Sequence, residues 1–160
     1  MTDGGATAVL RMRIALPAGT AAPAWPDGFA VRTFRDDDAS ALHALLVHGY
    51  RHGGGSVAPF AAWLPALTGD AEFDPELVVL AEAAGGLAAA SICWTSAFVK
   101  DLVVHEAWRR RGLGEALLQH AFRTFTDRGA RHVDLKVEAD NEGAIRLYER
   151  VGMRVVERLP

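Results

Sequence analysis

Three arginines run straight into two glycines at Arg109-Arg110-Arg111-Gly112-Leu113-Gly114. Before this run, Phe98–His105 reads as an apolar strand. After it, Leu113, Leu117, Leu118, Ala121, Phe122 and Phe125 recur at the spacing of a helix with one buried stripe. A strand, a basic turn and a glycine-led helix together suit a phosphate. The first turn of a helix leaves backbone N–H groups without partners at the positive end of its dipole. Glycine brings no Cβ to keep a ligand off the backbone, and guanidinium groups add positive charge. Taken alone, the run also fits an ordinary turn with a solvated basic face. Two rival phosphate motifs are absent. A P-loop ends in Gly-Lys-Ser/Thr, and a dinucleotide fingerprint needs a third glycine where Leu117 stands.

A second group of reactive residues follows. A positioned phenol such as Tyr148 donates a proton to a leaving group, although an amphipathic tyrosine on a helix is equally a core residue. Asp140 or Asn141 caps that helix, which carries Ala144, Ile145, Leu147, Tyr148 and Val151 and closes at Gly152. The preceding strand, His132–Glu138, alternates strictly. Val133, Leu135 and Val137 share one face, and His132, Asp134, Lys136 and Glu138 share the other, as solvated or ion-paired side chains. Asp101 stands on the neighbouring strand, on the side of Val103 and His105. Six histidines show no ligand spacing. His48 and His52 are four apart, but Gly53 follows at once with no third ligand, so no metal site is read here.

These residues need a sheet to hold them. Val9–Leu16 alternates apolar and basic residues and reads as a strand, an appendage at the sheet edge or the remnant of a junction in a larger tandem protein. Met1–Thr7 reads as a polar tail, and Pro17–Pro26 as a linker. Phe29–Arg35 is the next strand. Asp36-Asp37-Asp38 opens a helix with Leu42, Leu45, Leu46 and Tyr50, broken by Gly53-Gly54-Gly55-Ser56. A short helix from Ala58 to Leu67 carries Phe60 and Trp63 as core residues. Leu77–Ala83 and Leu87–Trp94 form a hairpin about Gly85-Gly86, and Phe98–His105 continues the meander. Arg128 and Gly129 end the helix after the arginines. Met153–Val156 is a last short strand. A meander followed by right-handed crossovers predicts an α/β fold, a mixed, mostly antiparallel sheet with helices on both faces.

Length and composition agree with this picture. The 160 residues suit one core, half of them are apolar and 23% are charged. A net charge of −3 argues against a generic nucleic-acid binder. The single cysteine, Cys93, allows no internal disulfide and reads as a small buried hydrophobe in a strand. No signal peptide or membrane span is read, so a cytoplasmic protein without a membrane partner is expected.

Arg109–Gly114 matches the Arg/Gln-x-x-Gly-x-Gly/Ala signature of the GCN5-related N-acetyltransferase (GNAT) superfamily. Asn141-Glu142-Gly143-Ala144-Ile145-Arg146-Leu147-Tyr148-Glu149-Arg150-Val151-Gly152-Met153 resembles that superfamily's second landmark, in the expected order. The resemblance covers about residues 28–158. Trp25-Pro26-Asp27-Gly28 and Arg32-Thr33-Phe34-Arg35 resemble a subgroup that includes tandem acetyltransferases such as mycothiol synthase.

The resemblance implies an acyl-CoA N-acyltransferase fold and division into an N-terminal tail, strand and linker (1–27) and an acetyltransferase domain (28–160). It implies an acetyl-CoA-dependent N-acetyltransferase acting on an amine of a small molecule or peptide by direct attack, with no metal. The alternative is a catalytically weak acyl-CoA-binding sensor or structural module. Leu102, Val103 and Val104 then bond pantetheine amides through their backbone, and a local bulge frees an N–H for the thioester oxygen. Backbone N–H groups of Arg111, Gly112, Leu113, Gly114 and Glu115 meet the pyrophosphate. Arg109, Arg110 and Arg111 reach the phosphates, and Asn141 contacts the cofactor arm. Tyr148 is the acid for the leaving thiolate. Asp101 or Glu138, through water, is the base. Lys136 stands where relatives acting on protein N-termini often carry Glu, and disfavours a cationic acceptor. Tyr50, His52 and the Gly53–Gly55 loop lie where the acceptor enters. A homodimer is compatible with the resemblance.

Overall fold

The computed structural model describes residues 5–19 and 22–160. The expected polar tail and linker fall partly outside them. In chain order the elements are β1 (Val9–Ala15), β2 (Ala30–Thr33), α1 (Ala39–Gly49), α2 (Phe60–Thr68), β3 (Val78–Ala83), β4 (Gly86–Trp94) and β5 (Phe98–Val104). Then follow α3 (Leu113–Asp127), β6 (His132–Glu138), α4 (Glu142–Arg150) and β7 (Arg154–Leu159).

The strands pair into one seven-stranded sheet, ordered β2-β3-β4-β5-β6-β1-β7. Every neighbouring pair is antiparallel except β5 with β6. The mixed, mostly antiparallel sheet expected from the sequence is the one that forms. Helices cover both faces. Leu42, Leu45 and Leu46 of α1 and Trp63 and Leu67 of α2 pack on Leu80, Ile92 and Val103. On the other face, Leu118, Phe122 and Phe125 of α3 join Met12, Val133 and Leu135, and α4 adds Ile145, Leu147 and Tyr148. Each of the fully buried large side chains is worth about 1.5–3 kcal/mol of transfer free energy.

Three expectations are corrected. First, β1 is neither an appendage nor an edge strand. It lies between β6 and β7, with Leu10, Met12 and Ile14 in the core. Its basic residues resemble those of an edge strand because they serve a buried partner. Second, that partner is Asp134, placed on the solvated face of β6 by the alternation but only 2% exposed. Arg11 Nε and Arg13 Nε donate to its two carboxylate oxygens, each at 2.7 Å. Third, Phe60 is 38% exposed and sits outside the core, whereas Trp63 is buried.

Candidate active site

The site begins where the sheet opens. β5 and β6 pair in parallel only at Phe98 with Asp134 and Val99 with Leu135. Beyond these residues the strands part. Among the described residues, the edge of β5 that carries Leu102, Val103 and Val104 then has no strand against it, while its other edge stays paired to β4. A β-bulge interrupts that second ladder. Ile92 pairs with Asp101 but Cys93 pairs with Val99, so Lys100 is the extra residue. The bulge lies just before the Leu102–Val104 segment and reverses the facing of β5. Val99 joins the core beneath α3, whereas Val103 joins the core beneath α1.

Two cavities occupy the opening. One, of ≈ 370 Å³, is walled by Tyr50, Lys100 and Leu102 on one side and by Lys136, Glu138 and Tyr148 on the other. The second, of ≈ 700 Å³, runs along the start of α3 and is walled by Val104, Trp108, Gly112, Gly114 and Leu147. Asn141 and Ala144 line both, so the two cavities adjoin at the start of α4.

The second cavity is cationic. Arg109, Arg110, Arg146 and Arg150 line it, against one carboxylate, Glu115. Glu115 lies 3.5 Å from Arg150. Arg111 is not on this wall, and its guanidinium lies over the Trp108 ring, 5.0 Å from the centroid. The turn itself is tightly specified. His105 Nδ1 accepts a hydrogen bond from the Ala107 N–H at 3.1 Å and caps the short 3-10 turn Glu106–Trp108. Gly112 stands at the N-cap of α3 with φ 84°, a conformation that favours glycine, and a Cβ there would meet nothing within 4 Å. Gly114 allows α4 to approach: a Cβ on it would stand 3.2 Å from Leu147 Cδ2.

Asn141 caps α4, its Oδ1 accepting from the Ala144 N–H at 3.2 Å. The residue lines both adjoining cavities. Tyr148 follows two turns later, partly buried against the core. Burial pushes its phenol above the ordinary value. Tyr50 lies across the same cavity at the end of α1. Its hydroxyl donates to Asp101 Oδ1 at 2.7 Å, and Lys100 Nζ donates to Asp101 Oδ2 at 2.9 Å. Asp101 is 9% exposed and lies behind this wall. Burial, then the Asp101 charge and its hydrogen bond, hold the Tyr50 phenol far above the tyrosine range. Glu138 lies on the wall and reaches the cavity directly. Cys93 is buried, and burial pushes its thiol up to about 12, which disfavours the thiolate form.

The structure thus brings Tyr148, Glu138, Asn141 and Leu102 to one opening, with Asp101 just behind Tyr50, and Val104, Arg109, Arg110, Gly112, Leu113, Gly114 and Glu115 to its cationic end. Val103 is buried under α1, so only its backbone is available to the opening. Sequence reading missed Arg146, Arg150 and Lys100. The two arginines are four apart on one helix face, a spacing that could have flagged them beside Asn141.

Comparisons with known proteins agree with this arrangement. The sequence profile of the acetyltransferase (GNAT) family matches residues 55–153. A mycothiol acetyltransferase of Propionibacterium freudenreichii subsp. shermanii is 31% identical over 163 residues, covering 92% of this chain and 50% of that protein. One from Clavibacter sepedonicus is 34% identical over 133 residues, covering 81% of this chain and 44% of that protein. The chain therefore spans about half the length of these relatives. Among solved structures, a GCN5-related N-acetyltransferase from Sphaerobacter thermophilus superposes with a TM-score of 0.80 at 31% identity, covering 95% of this chain and 49% of that one. Through the profile match, these relatives and the splayed sheet, the chain belongs to the GNAT acetyltransferase family.

Proposed function

We propose that this chain is an acetyl-CoA-dependent N-acetyltransferase that moves the acetyl group to an amine of a small molecule or peptide by direct attack. The observation that carries the reading is the parting of β5 from β6 next to the glycine start of α3, with four arginines around it. The residues fit acetyl-CoA. The α3 N-terminus offers N–H groups and Gly112 faces open space, so a pyrophosphate can approach the backbone. Arg109, Arg110, Arg146 and Arg150 supply charge for the phosphates. The unpaired β5 edge at Leu102–Val104 offers peptide groups to the pantetheine arm.

Bound acetyl-CoA supplies an activated acyl thioester. A peptide N–H of the β5 edge stabilises negative charge on the carbonyl oxygen as the amine attacks. Tyr148, which burial keeps protonated, gives its proton to the departing sulfur. Asp101 or Glu138, through water, receives the amine's proton. Lys136 and Lys100 on the cavity wall disfavour acceptors with several positive charges. Amine-dependent release of the free coenzyme thiol tests this reading. Release that rises with amine concentration supports it. Tight acetyl-CoA binding without amine-dependent release favours the alternative, an acyl-CoA-binding module.

A further inference from the structure

We propose that Tyr50 and Asp101 form a two-step proton relay that deprotonates the acceptor amine. This rests on the acetyltransferase reading above and names its base. The chain has two tyrosines, and both line the same cavity, Tyr148 from α4 and Tyr50 from the end of α1. One is the proposed acid. The other is tied to a buried carboxylate, 2.7 Å from hydroxyl to Oδ1.

The local fold builds this pair. The bulge at Lys100 turns Asp101 onto the α1 face of the sheet. Gly49 then lets the end of α1 close on β5, since a Cβ at this position would stand 2.3 Å from Val103 Cγ2. Tyr50, the next residue, is thereby pressed against Asp101. Asp101 does not line the cavity, and Tyr50 does. The Tyr50 hydroxyl, hydrogen-bonded to Asp101 Oδ1 at 2.7 Å, is thus a link between the cavity and the carboxylate.

The Tyr50 O–H is already committed to Asp101, so the oxygen presents lone pairs to the cavity as an acceptor. Its own proton is held too tightly for a free phenolate to serve as base, and the transfer is concerted. The amine N–H bond breaks as a new O–H bond forms on Tyr50. The old Tyr50 O–H bond breaks as Asp101 Oδ1 gains that proton. Asp101 ends neutral, Tyr50 ends as a phenol, and the proton leaves later to water. Lys100, donating to the other carboxylate oxygen at 2.9 Å, fixes the Asp101 plane. The remaining ionisable groups on the cavity are Lys136, Glu138 and Tyr148. Glu138 is the competing base, and it needs no relay.

The first test needs no turnover. In Y148F the chain holds one phenol, so its ultraviolet ionisation reads Tyr50 alone. Adding D101N is expected to lower that titration midpoint, and an unchanged midpoint overturns the coupling. The second test uses acetyl-CoA with the fastest acceptor from a screen of primary amines. Y50F and D101N each lower kcat by about a hundredfold at unchanged acetyl-CoA Kd. The Y50F/D101N double variant is no slower than either single one. In mixtures of light and heavy water the unsubstituted chain shows a curved rate dependence, from two protons in flight, and Y50F a linear one. If Y50F keeps its kcat, or only E138Q loses it, the relay is wrong while the acetyltransferase reading stands. A chain that binds acetyl-CoA but acetylates no amine overturns the relay and the acetyltransferase reading together, and one that also fails to bind acetyl-CoA overturns the binding-module alternative as well.

Discussion

Arg13 and Asp134 meet across β1 and β6 through two hydrogen bonds, Nε to Oδ1 at 2.7 Å and Nη2 to Oδ2 at 2.9 Å. Arg11 adds a third, to Oδ2, at 2.7 Å. The carboxylate is buried and the arginine side chains are 33% and 39% exposed. Burial alone would raise the Asp134 pKa, but Arg13 and Arg11 outweigh it and the net shift is downward. A depressed folded pKa stabilises the fold above the unfolded value of about 3.9 and loses that contribution as pH falls through the folded value. Asp134→Asn is expected to cost about 2 kcal/mol, or roughly 4–8 °C in Tm. The loss is below that for breaking a fully buried pair because water can reach the arginines. Thermal melts against pH check it: the variant flattens the acid limb, leaving the share of Asp38, which Arg32 holds low in the same way.

That pair also marks what a sequence can show. The arginine–glycine run, the α3 stripe and the Asn141 cap were legible because each is a pattern within one or two turns of chain. The partners of Arg13 were not, because they lie 121 residues away. Strict alternation on β6 predicts one wet face, and it fails at Asp134 because β1 brings two guanidinium groups alongside. Edge and interior strands differ in their neighbours, which local periodicity does not encode. For the same reason Asp101 was found as a carboxylate, but its bond to Tyr50, 51 residues away, was not.

Gly49 sets the distance between α1 and β5. Gly49→Ala places a methyl group against Val103 and is expected to cost about 1–3 kcal/mol by overpacking. The same shift moves Tyr50 from Asp101, so kcat falls more than acetyl-CoA affinity. Denaturant unfolding and steady-state kinetics on one preparation separate the two effects. A variant with normal stability and normal kcat would show that the close approach is not needed.

Tyr148 keeps its proton because it is buried. Tyr148→Phe should lower kcat about a hundredfold with little change in acetyl-CoA Kd. In the unsubstituted chain the basic limb due to this acid lies above about pH 10, the ordinary phenol value. An unchanged kcat in the variant would remove Tyr148 from the reaction.

Arg146 lines the cationic cavity from α4 without a carboxylate partner within salt-bridge distance among the described residues. Arg146→Ala is expected to weaken acetyl-CoA binding about fivefold, as roughly 1 kcal/mol at a partly screened site. The effect should shrink in high salt. Binding titrations at two ionic strengths measure both.

Calorimetric titration of acetyl-CoA into the chain, beside Gly112→Val, addresses the central claim most directly. The account predicts saturable one-site binding. It also predicts that binding weakens at least tenfold in the variant, whose side chain stands at φ 84° where the phosphates approach the α3 N-terminus. A hundredfold excess of ligand over its Kd would add about 2.7 kcal/mol to the stability of the unsubstituted chain. No binding heat and no thermal shift, or equal affinity in a folded variant, would contradict the assignment of this opening as an acetyl-CoA site.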